Sequence, residues 1–277
     1  YYTNLLGNWN RVKRFMNVAL LAKKQWFNEL LRQHDLLYVP LLGYPLIPVA
    51  KKYELETIVH LHNYVPARYH GVKYFSENDK INTFEEIRLG MIHELYVNRS
   101  VIRALALPVS YALYQISNMW LDYADTIVCV SRRQAEIVRQ QMPHTVKKIK
   151  VMYNPLPEIP NVNKKFNKRW KILYTGGRNL VKGYDVLLQA IRTLILRVRN
   201  ITRSRPIELI LTGEGCAKSF FHNACGTSNF KISVLGRVPR SELIKLYEHS
   251  VALIFPSIIE EPLPYAILES ALLKSIP

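Results

Sequence analysis

Short runs of β-branched and aliphatic residues recur along this chain, each followed by a stretch of helical spacing, and that alternation limits the folds open to it. The runs are Leu36–Val39, Thr57–His62, Asp125–Val130 and Lys150–Tyr153, then Lys171–Tyr174, Ile207–Leu211, Lys231–Leu235 and Val251–Phe255. Between them Phe15, Ala19, Ala22, Trp26 and Leu30 fall at helical spacing, and Ser131 stands as an N-cap before Arg132 to Gln141. From Gly183 a helix carries Leu187, Leu188, Ile191, Leu194, Ile195 and Val198 on one face. Strands that alternate with helices build parallel sheets, so the fold class is α/β.

The alternation is interrupted once. Asn154–Asn163 is rich in proline and asparagine, a composition that favours extended or turn backbone. The reading is two tandem Rossmann-like domains facing a cleft: 1–153, a linker at 154–170, and 171–277. A length of 277 residues with 49% hydrophobic and 21% charged residues is enough for two cores and excludes general disorder.

The balance of 38 basic against 21 acidic residues gives +17, and both halves are basic. A field of that sign attracts phosphates, whether on nucleotides, nucleic acid or an anionic membrane. Arg192, Arg197, Arg199, Arg203 and Arg205 crowd one helix and its exit, and an uncharged run extends from Ala104 to Leu121. That run approaches spanning length, but Pro108, Ser110, Gln115, Ser117 and Asn118 interrupt it, so it reads as a buried or membrane-facing helix. Peripheral contact with a membrane is therefore expected. Cys129, Cys216 and Cys225 form no CxxC pair, which argues against structural zinc and a disulfide framework and favours a reduced, cytoplasmic setting. The chain opens on Tyr-Tyr-Thr-Asn and closes on Ser-Ile-Pro, as a piece of a longer chain would.

Ligands of parallel α/β sheets bind at the C-terminal ends of the strands. After Val251–Phe255 comes Pro256-Ser-Ile-Ile-Glu260-Glu261-Pro-Leu-Pro-Tyr265-Ala-Ile-Leu-Glu269. Pro264 suits a helix start, and the next amides, of Tyr265, Ala266 and Ile267, make an anion site. Glu261 before the helix and Glu269 inside it are placed to accept hydrogen bonds from hydroxyls on either side of a phosphate. The other reading is a carboxylate favoured by the helix dipole and a solvated helix face. After Lys171–Tyr174 comes Gly176-Gly177-Arg178, with Lys182 and Gly183 beyond. Glycines admit a ligand close to the backbone, and Arg178 and Lys182 can clamp a diphosphate.

Taken in order, Gly-Gly-Arg…Lys-Gly, Leu-Thr-Gly-Glu-Gly, Val-Leu-Gly-Arg-Val-Pro-Arg-Ser-Glu-Leu and Phe-Pro-Ser…Glu-Pro-Leu-Pro-Tyr-Ala-Ile-Leu-Glu-Ser-Ala resemble the donor domain of group 1 glycosyltransferases, glycosyltransferase family 4 of GT-B fold. The likeness covers about residues 16–277. It implies a retaining transferase that takes a sugar from a nucleotide-sugar to a glycan or lipid-linked acceptor, as in polysaccharide biosynthesis, with no cofactor and no essential metal. Gly176, Gly177, Arg178 and Lys182 would hold the diphosphate, joined by the amides of Tyr265 and Ala266. Glu269 would bind ribose, Glu261 the donor sugar, and the backbone at Gly236, Arg237 and Val238 would lie against the base. His62 would stand near sugar and acceptor, sharing the catalytic position with Glu261. Two departures stand out: Gly177 occupies the family's arginine slot, with Arg178 one residue later, and the first strand with its glycine loop has no counterpart. The rival reading is a non-catalytic nucleotide- or polyanion-binding protein on the same scaffold. Carboxylates at the site speak against nucleic acid there, and no RNA-binding signature appears.

Overall fold

The computed structural model describes residues 17–40, 43–156, 158–159, 169–198, 206–216 and 230–277, with side chains in 195–198 excepted. Phe15, Cys225, Arg199, Arg203 and Arg205 fall outside the described residues, as does the Arg197 side chain. The chain divides into two compact units, Tyr1–Asn154 with Glu260–Leu263, and Pro155–Ile259 with Pro264–Pro277. The short segment at 260–263, read from sequence as part of the second domain, groups with unit 1. The physical reason is ionic: the Glu260 carboxylate is held by Lys73 and Arg133, both in unit 1.

After a helical stretch over residues 17–21, unit 1 carries α1 (Gln25–Leu31), β1 (Leu36–Pro40), α2 (Ile47–Lys52), β2 (Glu56–Leu61) and β3 (Lys73–Tyr74). Then come α3 (Thr83–Tyr96), α4 (Val101–Leu105), α5 (Leu107–Leu121), β4 (Thr126–Cys129), α6 (Arg132–Gln141) and β5 (Ile149–Val151). The main sheet is parallel in the order β1-β2-β4-β5. Register aligns Val39, Val59, Ile127 and Ile149 in one buried row across all four strands. Asp125 pins that register where the inner strands β2 and β4 begin, accepting from the Thr57 amide at 2.7 Å and hydroxyl at 2.9 Å. The helices start where short polar side chains take up first-turn amides: Asn82 for Glu85, Ser100 for Arg103, and Ser131 for Gln134 as its sequence position suggests. The strand read at Lys150–Tyr153 ends earlier, at Val151, and Met152 and Tyr153 are exposed.

The uncharged run Ala104–Leu121 becomes the end of α4 and the whole of α5. Leu107, Tyr111, Tyr114 and Leu121 of α5 pack into the unit 1 core. Among the described residues no helix is long and apolar enough to cross a membrane.

Unit 2 carries β6 (Trp170–Tyr174), α7 (Tyr184–Val198), β7 (Ile207–Thr212), β8 (Phe230–Gly236), α8 (Arg240–His249), β9 (Ala252–Leu253) and α9 (Tyr265–Leu272). Its sheet is also parallel, in the order β8-β7-β6-β9. Each face has its own core. Tyr174, Leu209, Leu211 and Ile232 pack with Tyr184, Leu187 and Ile191 of α7, while Leu173, Ile210 and Leu253 pack with Tyr247 of α8 and with Leu273. A strand buried on both faces needs a continuous apolar run, as in Leu209–Leu211 of β7, whereas the edge strand β8 alternates, with Phe230, Ile232 and Val234 buried and Lys231 and Leu235 exposed. The run Val251–Phe255 pairs over two residues, fewer than its length suggests.

Candidate functional site

The strand order of unit 2 marks where a ligand belongs. β6 comes first in the chain yet lies inside the sheet, with β7 and β8 on one side and β9 on the other. The connections therefore diverge between β6 and β9, and such a switch point opens a crevice beyond the carboxyl ends of the strands. The loops that follow β6, β7, β8 and β9 surround this point.

Backbone bonds join those loops. The Gly177 amide donates to Thr212 O at 3.1 Å, the Arg178 amide to Glu214 O at 2.8 Å, and the Gly213 amide to Gly236 O at 2.7 Å. Tyr174 Oη donates to Gly177 O at 2.9 Å from beneath. Such closeness requires glycine: Gly177 has φ 64°, and a Cβ there would meet the Glu214 carbonyl oxygen at 2.8 Å. On the other side, the Ile258 amide donates to Val181 O at 3.1 Å, and Gly183 lies directly against the Pro256 carbonyl. The Arg178 stem lies against Gly215, the residue is exposed, and Lys182 is half-buried. Gly236 has φ 69° and open space where a side chain would stand, followed by exposed Arg237 and half-buried Val238.

The last helix starts at Tyr265 with Pro264 as its N-cap, one position ahead of the place assigned from sequence. No side chain caps it, and no acid sits in its first turn. The Ile267 amide donates to Pro264 O at 3.1 Å, which corrects the expectation of three available amides. Tyr265 is exposed, and Ala266 is half-buried.

Glu269 is buried, and its Oε1 accepts from Arg240 Nη1 at 2.6 Å. Tyr247 is fully buried beside this pair. Burial pushes the phenol up to about 12, with a hydrogen bond to Thr175 opposing and the Glu269 charge adding to the rise. The network joins the loop after β6 to α8 and α9, so it places Glu269 in the same loop cluster as Gly176. Sequence reasoning missed Arg240 and Tyr247 as Glu269's neighbours. Arg240 stood inside the Gly-Arg-Val-Pro-Arg motif, but spacing does not show which acid a basic residue will meet.

The two residues given catalytic roles, His62 and Glu261, fall in unit 1. His62 is exposed just beyond β2, its ring 4.3 Å from that of buried His60. His60 Nδ1 lies 2.5 Å from Tyr38 Oη, and burial followed by the His62 charge holds its pKa below the usual histidine value. Glu261 is half-buried, next to Glu260. Glu260 is bonded to Lys73 Nζ at 2.8 Å and to Arg133, and Arg133 also holds Asp79 through a fork at 2.6 and 2.7 Å. Burial raises the Glu260 pKa, but hydrogen bonds from Arg133 and Lys73 outweigh it and hold the carboxyl low. Asp79 is held low mainly by its hydrogen bond from Arg133. Among the described residues no group of three His, Cys, Asp or Glu side chains is placed to hold a metal ion.

Both depressed carboxyls stabilise the folded state above their unfolded pKa, near 4, and lose that contribution as pH falls through the folded values. Arg133→Met should therefore destabilise unit 1 at neutral pH, by about 1 kcal/mol given the half-exposed guanidinium. The difference from wild type should fade toward pH 2. Urea titrations across pH check this, and a difference that stays constant down to acid would show that the lost contact is packing rather than charge.

Residues 157–274 match the profile of the family described as glycosyl transferases, group 1. No curated protein matches the chain. Solved structures share its fold. A UDP-forming alpha,alpha-trehalose-phosphate synthase from Burkholderia xenovorans aligns at TM-score 0.61 with 13% identity, over 99% of this chain and 64% of its own. The Anabaena protein HepE in complex with UDP aligns at 0.52 with 12% identity, over 96% and 64%. The lipopolysaccharide outer core galactosyltransferase WaaB aligns at 0.52 with 15% identity, over 96% and 60%. The chain thus spans less than two thirds of the length of these structures. Residues 157–274 are thus similar to the group 1 glycosyl transferases, and the chain as a whole shares the α/β fold of the solved structures it aligns with.

Proposed function

We propose that this chain transfers a sugar, with retention of configuration, from a nucleotide-sugar donor to a glycan or lipid-linked acceptor. The observation that carries the reading is the cluster of glycine loops bonded together at the switch point of unit 2. It offers backbone amides, the Arg178 and Lys182 cations and the buried Glu269 around one crevice. The glycines at 176 and 177 admit the diphosphate, Arg178 and Lys182 balance its charge, and the amides of Tyr265 and Ala266 add to it. Arg240 fixes one oxygen of Glu269, and the carboxylate accepts from ribose hydroxyls. The open backbone at Gly236, Arg237 and Val238 lies against the base. Glu261 contacts the sugar being transferred, with His62 near the acceptor. As the glycosidic bond breaks, negative charge collects on the departing diphosphate, and preorganised cations and amides stabilise it there.

UDP, the nucleotide bound in the Anabaena structure, is the first ligand to test. Thermal-shift screening of nucleoside diphosphates against oligonucleotides should raise the melting temperature with a diphosphate and leave it unchanged with the oligonucleotides. Lys182→Ala removes one charge-assisted contact and should weaken diphosphate binding by roughly 1.5–3 kcal/mol. Calorimetry that finds wild-type affinity in this variant removes Lys182 from the site. Stabilisation by oligonucleotides instead would favour the polyanion-binding reading.

A further inference from the structure

Helix α5 is apolar on both of its sides. Its inner side is in the core, whereas Val109, Leu113, Ile116 and Met119 are exposed at 72%, 37%, 44% and 64%. Their spacing puts them on one outward stripe, where a helix of a soluble domain carries charge. The exposed Ile102 and Leu105 of the preceding helix α4 continue the same character, and α3, α4 and α5 pack on one another. An apolar surface of this extent marks an interaction site.

Its charge identifies the occupant. From Ile87 to Leu121 the sequence has one acid, Glu94, which is buried and bonded to Arg103 and Asn98. Arg88, Arg99 and Arg103 are exposed in the same stretch. We infer that this face of unit 1 seats in the headgroup region of an anionic lipid bilayer, with the apolar stripe inserted and the arginines at the phosphates. Helices of this make-up lie within the interface instead of crossing it, and basic residues beside them add attraction to anionic lipid. A second copy of the chain is disfavoured, because it would bring two sets of arginines together on molecules that each carry +17. The inference stands apart from the transferase reading, since none of these residues belongs to the proposed site.

Co-sedimentation of the 277-residue chain tests it, with vesicles of phosphatidylcholine alone and with about one third phosphatidylglycerol. The wild-type chain should pellet with the mixed vesicles and far less with the neutral ones. Val109→Glu/Ile116→Glu changes two exposed positions and should lower partitioning at least about tenfold while the melting temperature stays the same. Arg88→Glu/Arg99→Glu keeps the stripe and should erase the preference for phosphatidylglycerol. Equal partitioning of wild type and the Val109/Ile116 variant overturns the inference, as does equal pelleting with both vesicles. If light scattering finds a wild-type dimer that the Val109/Ile116 variant dissolves, and vesicles bind neither, a second copy is the occupant.

Discussion

Gly183→Ala should destabilise unit 2 by about 3 kcal/mol or more, whereas Gly236→Ala should cost only about 1–2 kcal/mol. Both glycines have left-handed backbone, φ 74° and 69°, so a side chain brings the same conformational strain at each. Their surroundings differ. A Cβ at Gly183 would overlap the carbonyl of Pro256, which is backbone and cannot rotate aside, while a Cβ at Gly236 meets nothing within 4 Å. The difference between the two variants therefore measures how closely the loop after β6 and the loop after β9 are packed. Urea unfolding gives both numbers. Gly183→Ala should also weaken diphosphate binding, because the loop that moves carries Lys182. Equal costs at the two positions would mean that the approach of Pro256 to Gly183 is easily relaxed.

Glu269→Gln should weaken nucleoside diphosphate and nucleotide-sugar binding alike, by roughly 1.5–3 kcal/mol, or about ten- to a hundredfold. The amide keeps the shape of the carboxylate but gives up the charge that Arg240 bonds to and that the proposed ribose contact uses. Glu269 lies four positions after Tyr265, roughly 6 Å deeper at about 1.5 Å per residue, so in the proposed site it would meet a different part of the ligand from the first-turn amides. Glu261→Gln should leave diphosphate affinity nearly intact and reduce turnover, as loss of a contact made in the transition state does. Arg240→Ala separates orientation from contact: it should reproduce part of the Glu269→Gln loss, since the carboxylate remains but is no longer fixed. Its cost in stability should be about 1 kcal/mol or less, because the guanidinium is half-exposed. Calorimetry with UDP and steady-state transfer measurements read these variants. If Glu269→Gln binds UDP as wild type does, the ribose role is wrong. If Glu261→Gln transfers at the wild-type rate, the division of roles is wrong.

The sheets were legible because their inner strands read as short apolar runs between helical spacings. The glycine loops were legible too, since few residues other than glycine tolerate the positive φ at Gly177 and Gly183. What spacing could not show is pairing at a distance. Glu269 and Arg240 are 29 positions apart, and Lys73 and Glu260 are 187 apart. Nothing in the local pattern joins them, and only the structure ties Glu260 to Lys73 and Arg133. The run at 104–121 read as a buried or membrane-facing helix, without a choice between the two. An uncharged run reports that a helix avoids charge, and only the structure tells its buried side from its exposed one.

The position of β6 has a consequence for the timing of folding. It pairs early with β7, but its other edge waits for β9, whose Ala252 pairs with Ile172 some 80 positions earlier. Until Ala252 leaves the ribosome that edge presents unpaired amides and carbonyls, an invitation to aggregation. Contacts of such sequence separation also form slowly. Synthesis of this chain should therefore pass through a state in which three of the four strands of the second sheet are paired and the crevice has one wall, and chaperone demand should be greatest while residues 175–252 are being made.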